Sequence, residues 1–428
     1  MVSIQALRGM PDVLPDACNL RAQLLRAASE IIESYGFREI SLPLLEKTEL
    51  FARSIGEVTD IVEKEMYTFD DRNGESMTLR PEATAGVVRA VVQHSLAHSG
   101  AQKLWLAGPM FRYERPQKGR YRQFNQINVE AFGLVGPDID VELIAIGARL
   151  WKRLGVADAL TLELNSLGDG AGRQAHRAAL VAYLREHAEL LDADAARRLE
   201  TNPLRVLDSK TPDMQAMLAA APQLPDFWDA ESREHFETLT ARLDDLGIAW
   251  TLNPRLVRGL DYYSRTVFEW TTTALGAQNA VCSGGRYDGL VEQIGGKPTP
   301  AVGFAIGVER LVALMEAAGA APEPVADLYL AALGAKAEAH AAVLAEQLRD
   351  ALPGVRLLVN AGGGSFKAQL KRADRCGAQF ALVLGDAEVE SETVQVKPLR
   401  VRDDQQAVAQ SALADFIRKQ RSATPAAA

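Results

Sequence analysis

No stretch of this sequence approaches the roughly 20 consecutive apolar residues that a membrane-spanning helix needs, so no membrane partner is expected. The opening residues, MVSIQALRGMPDVLPD, lack a positive start followed by an apolar core and do not read as a secretory signal. Cysteine is scarce. Cys18, Cys282 and Cys376 are odd in number, far apart and in no metal-ligand spacing, which excludes a disulfide framework and fits reduced thiols in a cytoplasm. Neither a P-loop nor a Rossmann glycine fingerprint occurs. Gly362-Gly363-Gly364 follows a strand-like run but lacks a Lys-Ser/Thr partner, so it reads as a turn. His94 and His98 are spaced to share one helical turn, yet no third ligand lies nearby; a structural or surface role is preferred and no protein-held metal is expected. There is no internal repeat.

Hydrophobic residues make up 47% and charged residues 24% of the 428, the balance of a globular chain with room for two to four cores. The net charge of −9 argues against attraction to nucleic acid along the whole sequence. Exposed charge is screened beyond about 8 Å, however, which leaves room for a local basic patch. From Asp327 onward 13 Lys/Arg stand against 12 Asp/Glu, a balance of +1, so the preceding residues carry −10. Residues 112–122 gather Arg112, Arg115, Lys118, Arg120 and Arg122 around a single acid, Glu114. Such a cluster is a solvated loop or a seat for a polyanion, and charge alone leaves both open.

Leu20, Leu24, Ala28, Ile31, Ile32 and Tyr35 recur on one face of a helix opened by Pro15-Asp16, with Asp16 as its expected cap and Gly36 as its stop. A strand is expected from Phe37 to about Leu42, with Pro43 placing its end at a sheet edge or an interface. Residues 103–132 read as two strands joined by the basic loop. Residues 170–248 turn Ala-, Leu- and Glu-rich with helical spacing, as an inserted helical module would. Strand-like alternation returns over 250–270 and before Gly303, and AAGAAPEPVAD at 317–327 is a linker. Beyond it come DLYLAAL, a helix over 336–351, VRLLV, the glycine turn, a helix over 365–376, FALVL, a strand over 393–399 and a last helix: a small α/β domain. The expected division is 1–169 and 250–320 as two parts of an α+β core, 170–249 as a helical insertion, 327–420 as the C-terminal domain and 421–428 as a disordered tail.

On the first strand around the basic loop, Met110, Arg112 and Glu114 share a face opposite Phe111 and Tyr113. On the second, Phe124, Gln126, Asn128 and Glu130 oppose Ile127, Val129 and Ala131. Solvated faces favour Lys, Glu and Thr. This one mixes an arginine, an aromatic, amides and acids, which favours a ligand. Without a P-loop, a nucleotide would be held by side-chain charge on such a sheet.

Five separated blocks point the same way: Thr78-Leu-Arg-Pro-Glu-Ala-Thr84, Phe111-Arg-Tyr-Glu, Arg258-Gly-Leu-Asp-Tyr-Tyr-Ser-Arg-Thr-Val-Phe-Glu-Trp, Ser283-Gly-Gly-Arg-Tyr-Asp-Gly-Leu and Gly303-Phe-Ala-Ile-Gly-Val-Glu-Arg310-Leu. Together they closely resemble the class II aminoacyl-tRNA synthetases, and among them the histidyl-tRNA synthetase family, from Gly9 to about Leu399. The Phe-Arg-Tyr-Glu strand with its loop and return strand is similar to the class's second motif. Gly303 to Leu311 is similar to its third, and Asp16 to Glu46 with Pro43 to its first, dimer-forming one. The Arg258 and Ser283 blocks are similar to two signatures peculiar to the histidine enzymes. The resemblance implies an antiparallel catalytic sheet flanked by helices, and an anticodon-binding domain at the C-terminus.

It also implies a cytoplasmic homodimer that joins L-histidine to ATP, releases pyrophosphate and passes the histidyl group to tRNA(His), with Mg2+ accompanying ATP and no tightly bound cofactor. A carboxylate is already nucleophilic near neutrality. The remaining task is to position two anions and stabilise charge on phosphate, which suits arginine. Matched by motif, Arg112 and Arg258 are the expected catalytic pair, meeting the α-phosphate and the histidine carboxylate from opposite sides. Arg310, helped by Arg120, is expected at the γ-phosphate, Glu114 at adenine or its ribose, and Phe124 stacked on adenine. Glu82, Thr84 and Gln126 are expected at the amino group, Glu130 and Tyr263 at the imidazole, and Tyr287 closing the pocket. Gly284 and Gly285 would let backbone approach the ligand. A pocket of matched polar partners rejects analogues that lack them.

For tRNA, the loop from Arg115 through Gln117 to Arg122 is expected toward the acceptor end. Lys367, Lys371 and Arg375 recur every four residues on one helix, as a basic stripe for the anticodon domain or else a solvated face. A paralogue keeps this fold as a histidine-sensing regulatory subunit of ATP phosphoribosyltransferase, but characteristically lacks the anticodon domain and loses catalytic arginines; this chain keeps both. Ser264 stands where Asn is common, and Tyr113 and Asn125 where His is common. None of the three is among the contact residues named.

Overall fold

The computed structural model describes residues 4–55, 59, 61–117, 119–258, 260, 262–276 and 280–423. Lys118 of the basic cluster, Gly259 and Asp261 of the Arg258 block and residues 424–428 of the expected tail lie outside the described residues. The chain forms two compact units, Met1–Ala321 and Pro322–Ala428.

In the first unit α1 (Pro15–Ser34) begins on proline, whose fixed φ and missing N–H suit the first helical turn. Leu20, Leu24, Ala28 and Ile32 recur every four residues and are buried as one stripe. The N-cap is Leu14, and no side chain caps the helix, so Asp16 is not the cap the sequence led us to expect. Asp16 sits in the first turn, where its charge complements the helix dipole. Gly36 follows with φ +82°, the left-handed stop that glycine takes readily.

The strand expected over 37–42 is shorter, β1 (Arg38–Glu39), because it is an edge strand with one neighbour and Pro43 cannot donate to a ladder. β2 (Leu45–Lys47), β3 (Tyr67–Asp70) and β4 (Ser76–Leu79) make a small antiparallel sheet ordered β2-β4-β3. β5 (Gln102–Phe111), β6 (Gln123–Phe132), β7 (Thr161–Ser166), β8 (Thr251–Leu252), β9 (Ser264–Thr271), β10 (Ala280–Arg286) and β11 (Ala301–Gly307) join β1 in the main sheet. Its order is β1-β5-β6-β11-β10-β9-β7-β8, antiparallel in the middle and parallel at the two edges. The alternation read over 250–270 thus resolves into two strands, with Asn253-Pro254 breaking the ladder between them.

Helices cover this sheet unequally. Ile127, Val129 and Ala131 of β6 enter a core with α1, α3 (Pro137–Arg153), α6 (Ala230–Asp245) and α7 (Val308–Ala317), through Leu143, Trp151, Leu239 and Leu311. On the opposite face α2 (Thr84–Gln93) packs Val87, Val88 and Val91 beside Phe132, Val267, Tyr263 and Tyr287. That second face also carries Gln126, Asn128 and Glu130, as the period of two requires. One face is therefore all core, and the other holds a polar strip on an apolar floor.

Between β7 and β8 lie α4 (Gly170–Glu186), α5 (Ala193–Thr201) and α6, with a short helix, Gln215–Ala219, and several 3-10 turns between them. Asp169, Asp192 and Asp229 cap these three helices, each accepting from the backbone N–H three residues on. Leu180, Leu184, Leu199, Met214 and Leu218 form an apolar cluster of their own there.

The second unit is a five-stranded sheet of β12 (Leu328–Leu333), β13 (Leu357–Val359), β14 (Phe380–Gly385), β15 (Thr393–Pro398) and β16 (Gln406–Ala409), ordered β13-β12-β14-β15-β16. α8 (Ala335–Ala351), α9 (Phe366–Arg375) and α10 (Leu413–Ala423) accompany it. Gly362, Gly363 and Gly364 all have positive φ, as the turn expected there requires. α10 continues through Ala423, past residue 421 where disorder was expected to begin. Its buried Leu413 and Ile417 anchor the helix.

Candidate active site

The second face of the main sheet opens into a cleft of about 370 Å3. β5 ends at Phe111, so Arg112 and Glu114 sit just beyond the strand rather than on its polar face. The Arg112 N–H still donates to the Arg122 carbonyl at 2.9 Å and holds the two arms of the loop together. Arg112 Nε donates to the Pro81 carbonyl at 2.8 Å, and its guanidinium lies 5.3 Å from the Phe124 ring centre. Arg120 pairs with Glu114. Arg310 reaches in from α7 and donates to the carbonyls of Ala280 at 2.7 Å and Gly119 at 3.3 Å. Arg258 pairs with Glu269 of β9 and lies 5.5 Å from the Tyr263 ring centre.

All four arginines line the one cleft. Burial holds Arg112, Arg120 and Arg310 below the usual guanidinium range, and mutual repulsion adds to it. Arg258 acts on Arg112, Arg112 on Arg120, and both Arg120 and Arg112 on Arg310. Burial would lower Arg258 as well, but Glu269, Tyr263 and Tyr262 outweigh it and raise it. All remain charged at neutrality. Gathering like charges is unfavourable; the pairing of Arg120 with Glu114 and of Arg258 with Glu269 offsets part of that cost, and an anion reaching the cleft would offset more.

The polar strip forms a second network. Glu130, 1% exposed, accepts from Thr84 Oγ1 at 2.7 Å and from the Tyr287 hydroxyl. Burial pushes its carboxyl up to about 8; the two hydroxyl bonds oppose the shift and the charge of Glu82 adds to it. Glu82 accepts from the backbone N–H groups of Thr84 at 2.6 Å and Ala85 at 2.9 Å, at the start of α2. Burial raises Glu82 too, against the pull of those N–H groups and Arg112. Tyr262, Tyr263 and Tyr287 form an aromatic wall, with ring centres 4.7 to 6.3 Å apart. Gln126 Oε1 and Asn128 Oδ1 are buried without a hydrogen-bond partner among the described residues, and a buried unpaired acceptor is costly until a donor reaches it.

Comparison with known proteins bears on what this arrangement is. The family model for histidyl-tRNA synthetase matches residues 9–311, and that for an anticodon binding domain matches residues 327–420. The chain belongs to the histidyl-tRNA synthetase family. The apo histidyl-tRNA synthetase of S. aureus is 35% identical over 97% of this chain and 99% of that one, with a TM-score of 0.79. The histidyl-tRNA synthetase of Nostoc sp. PCC 7120 is 20% identical over 98% and 100%, with a TM-score of 0.72. A Bacillus halodurans protein described as an ATP phosphoribosyltransferase regulatory subunit/histidyl-tRNA synthetase is 22% identical over 90% and 99%, with a TM-score of 0.64. At those identities the last two bear on the fold alone.

In this histidyl-tRNA synthetase relative, Glu82, Thr84, Arg112, Glu114, Arg120, Phe124, Gln126, Arg258, Tyr263, Tyr287 and Arg310 line one cleft, with Glu130 bonded to its wall. The amino-group and imidazole residues expected as separate sets are joined, since Thr84 donates to Glu130. Gly284 and Gly285 serve strand packing. A Cβ on Gly284 would meet Phe304 Cβ at 2.6 Å and overlap the Gly303 carbonyl, and one on Gly285 would overlap the Thr266 carbonyl. A Cβ on Gly303 would in turn overlap Glu130 Oε2. Arg115 and Gln117 are exposed, and Gln117 exchanges backbone bonds with Arg120 at 3.0 and 2.9 Å. Lys367, Lys371 and Arg375 lie exposed on α9 in the second unit, with no ion pair among the described residues. Among the described residues no group of three or more His, Cys, Asp or Glu could hold a metal, His94 and His98 included.

Three residues escaped the sequence reading. Glu269 lay inside a quoted block, and an acid within the apolar run Val267-Phe-Glu-Trp270 was the signal for it. Glu309 accepts from the Asn125 N–H at 2.9 Å and from its side-chain amide at 2.7 Å, so Asn125 ties the hairpin to α7 without lining the cleft. Asp208, between α5 and α6, also lines the cleft, and its charge adds to the burial that raises Glu269. No local pattern marks it.

Proposed function

We propose that the protein activates L-histidine with ATP and transfers the histidyl group to tRNA(His). The convergence of four arginines with the closed network of Glu130, Thr84 and Tyr287 carries this reading. One half suits a polyphosphate and a carboxylate, the other a small polar side chain with two matched nitrogens. In activation a histidine carboxylate oxygen bonds to the α-phosphorus, and the bond to the β-bridging oxygen breaks, its electron pair leaving with pyrophosphate. Arg112 and Arg258 hold the two reacting anions against their repulsion and stabilise the charge that builds on the α-phosphate. Arg310 and Arg120 receive the β- and γ-phosphates; Glu114 and Phe124 meet ribose and adenine. Arg120 must release Glu114 in part to do so, so the loop moves on binding.

The histidine ammonium goes to Glu82 and the free Gln126 Oε1. The imidazole meets Glu130 and Tyr263. A Glu130 carboxyl with its pKa near 8 carries a proton at neutrality and so can donate as well as accept. Mg2+ supplies charge neutralisation on the phosphates. It suits an ion that arrives on the nucleotide and keeps much of its water, with Glu269 and Asp208 as the carboxylates the cleft would add. A ribose hydroxyl at the tRNA end then attacks the histidyl carbonyl and AMP leaves. The exposed stripe Lys367, Lys371 and Arg375 supports anticodon-side binding, and the Arg115–Arg122 loop supports contact with the acceptor end. We place the enzyme in the cytoplasm as a homodimer. No described helix is long and apolar enough to cross a membrane.

Incubation of the purified protein with ATP, Mg2+, labelled histidine and tRNA(His) tests this. Acid-precipitable histidyl-tRNA is the expected product. Its absence would contradict the reading and favour a regulatory, histidine-sensing role.

A further inference from the structure

β9 carries an irregularity beside the pocket. Gly285 of β10 pairs with Val267 but Arg286 pairs with Ser264, so Arg265 and Thr266 are extra residues in the ladder. Arg265 sits there at φ 43°, a left-handed conformation that a residue with a Cβ adopts only when its surroundings hold it. Tyr263, of the aromatic wall, immediately precedes this bulge.

Three side chains from the inserted helices hold the segment. Arg173 of α4 donates to the Tyr263 carbonyl at 2.9 Å. Glu231 of α6 pairs with Arg265 at 2.7 Å. His235 of α6 lies 3.1 Å from Thr266 Oγ1. The first turn of α4 is itself fixed, because a Cβ on Gly172 would overlap the Phe227 carbonyl just before α6. These interactions reach three residues within 263–266, namely Tyr263, Arg265 and Thr266, and come from both ends of the insertion.

We propose that the insertion positions the histidine pocket: α4 and α6 hold the bulge at 264–266, and through it Tyr263, with Arg173 as the principal positioning residue. Arg173 is not among the residues that line the cleft. It acts on the main chain of Tyr263, so its loss releases the pocket wall and leaves the arginines that hold ATP in place. The inference rests on the proposed reading of this pocket as the histidine site.

The test is the pair of KM values, for histidine and for ATP, in pyrophosphate exchange by the full chain. Arg173→Gln should raise the histidine KM about tenfold and leave the ATP KM within about twofold. Arg173→Lys, which can still donate to the carbonyl, should recover most of that loss. An unchanged histidine KM in folded Arg173→Gln, or an equal rise in both KM values, overturns the proposal. Should Arg173→Gln fail to fold, Thr266→Val removes the His235 interaction and reads the same ratio: a rise confined to histidine supports the proposal and an unchanged ratio overturns it. Wild-type protein without histidine-dependent exchange would instead refute the underlying reading of the site.

Discussion

Arg258 and Glu269 form a partly buried pair whose members have different jobs, and substitution should separate them. Arg258→Ala is expected to slow single-turnover adenylate formation by about 10²–10³-fold, the usual loss on removing one group that stabilises transition-state charge. It should also lower Tm, since it strands a largely buried carboxylate without its partner. Adding Glu269→Gln should restore Tm but not the rate. A recovered rate in the double variant would mean that Arg258 acts on the fold alone. Glu130 gives a pH signature. Its carboxyl rises from 4.5 to about 8 on folding, so between those values the folded state binds the extra proton. Its stabilising contribution is complete below 4.5 and is lost as pH rises through 8. The Tm of Glu130→Gln should therefore gain on wild type with rising pH across that window and level off above it; a constant difference would contradict the shift. Arg112, Arg258 and Arg310 were legible in sequence because each sits in a motif. Glu269 and Glu309 were harder: Arg258 pairs with Glu269 across a turn that no spacing announces, and Asn125 lies 184 residues from Glu309.

At the scale of the element, β6 matters most. Its alternation sends Ile127, Val129 and Ala131 into the core and Gln126, Asn128 and Glu130 toward the cleft, and this was readable from residue types alone. Long central strands declare themselves in this way; β1, two residues on an edge, and β16 do not, because few side chains of either are buried. Across β6, Gly303 of β11 leaves the space that Glu130 Oε2 occupies. Gly303→Ala should displace that carboxylate and raise the histidine KM at least about tenfold, with a smaller effect on the ATP KM. Equal effects on both would show that the glycine serves the sheet as a whole. The bulge on β9 was invisible in sequence, since Ser264-Arg-Thr continues a strand pattern and only the pairing with Arg286 shows two residues too many.

For the whole molecule, charge is distributed by task. The chain is acidic overall, while the residues from Asp327 on are balanced and place Lys367, Lys371 and Arg375 along one helix. Reversing Lys367 and Lys371 to Glu should raise the KM for tRNA in charging and flatten its salt dependence by about 0.7 for each phosphate the stripe no longer neutralises. Pyrophosphate exchange should be spared. Loss of both activities would point to a folding defect. The order of core, insertion, core and C-terminal unit could be read from changes of pattern along the chain. The entry of Asp208 and Arg173 into the catalytic neighbourhood could not, because it depends on how helices with their own apolar cluster dock on a sheet, and no local period encodes that.

The central claim is that this cleft selects histidine and activates it with ATP. Exchange of labelled pyrophosphate into ATP, measured with each of the twenty amino acids in turn, tests it most directly. Exchange with histidine is predicted to run at least about 10³-fold above any other amino acid, because Glu130 and Tyr263 are matched to the imidazole nitrogens, which other side chains lack. No exchange with histidine, or equal exchange with another amino acid, would contradict it.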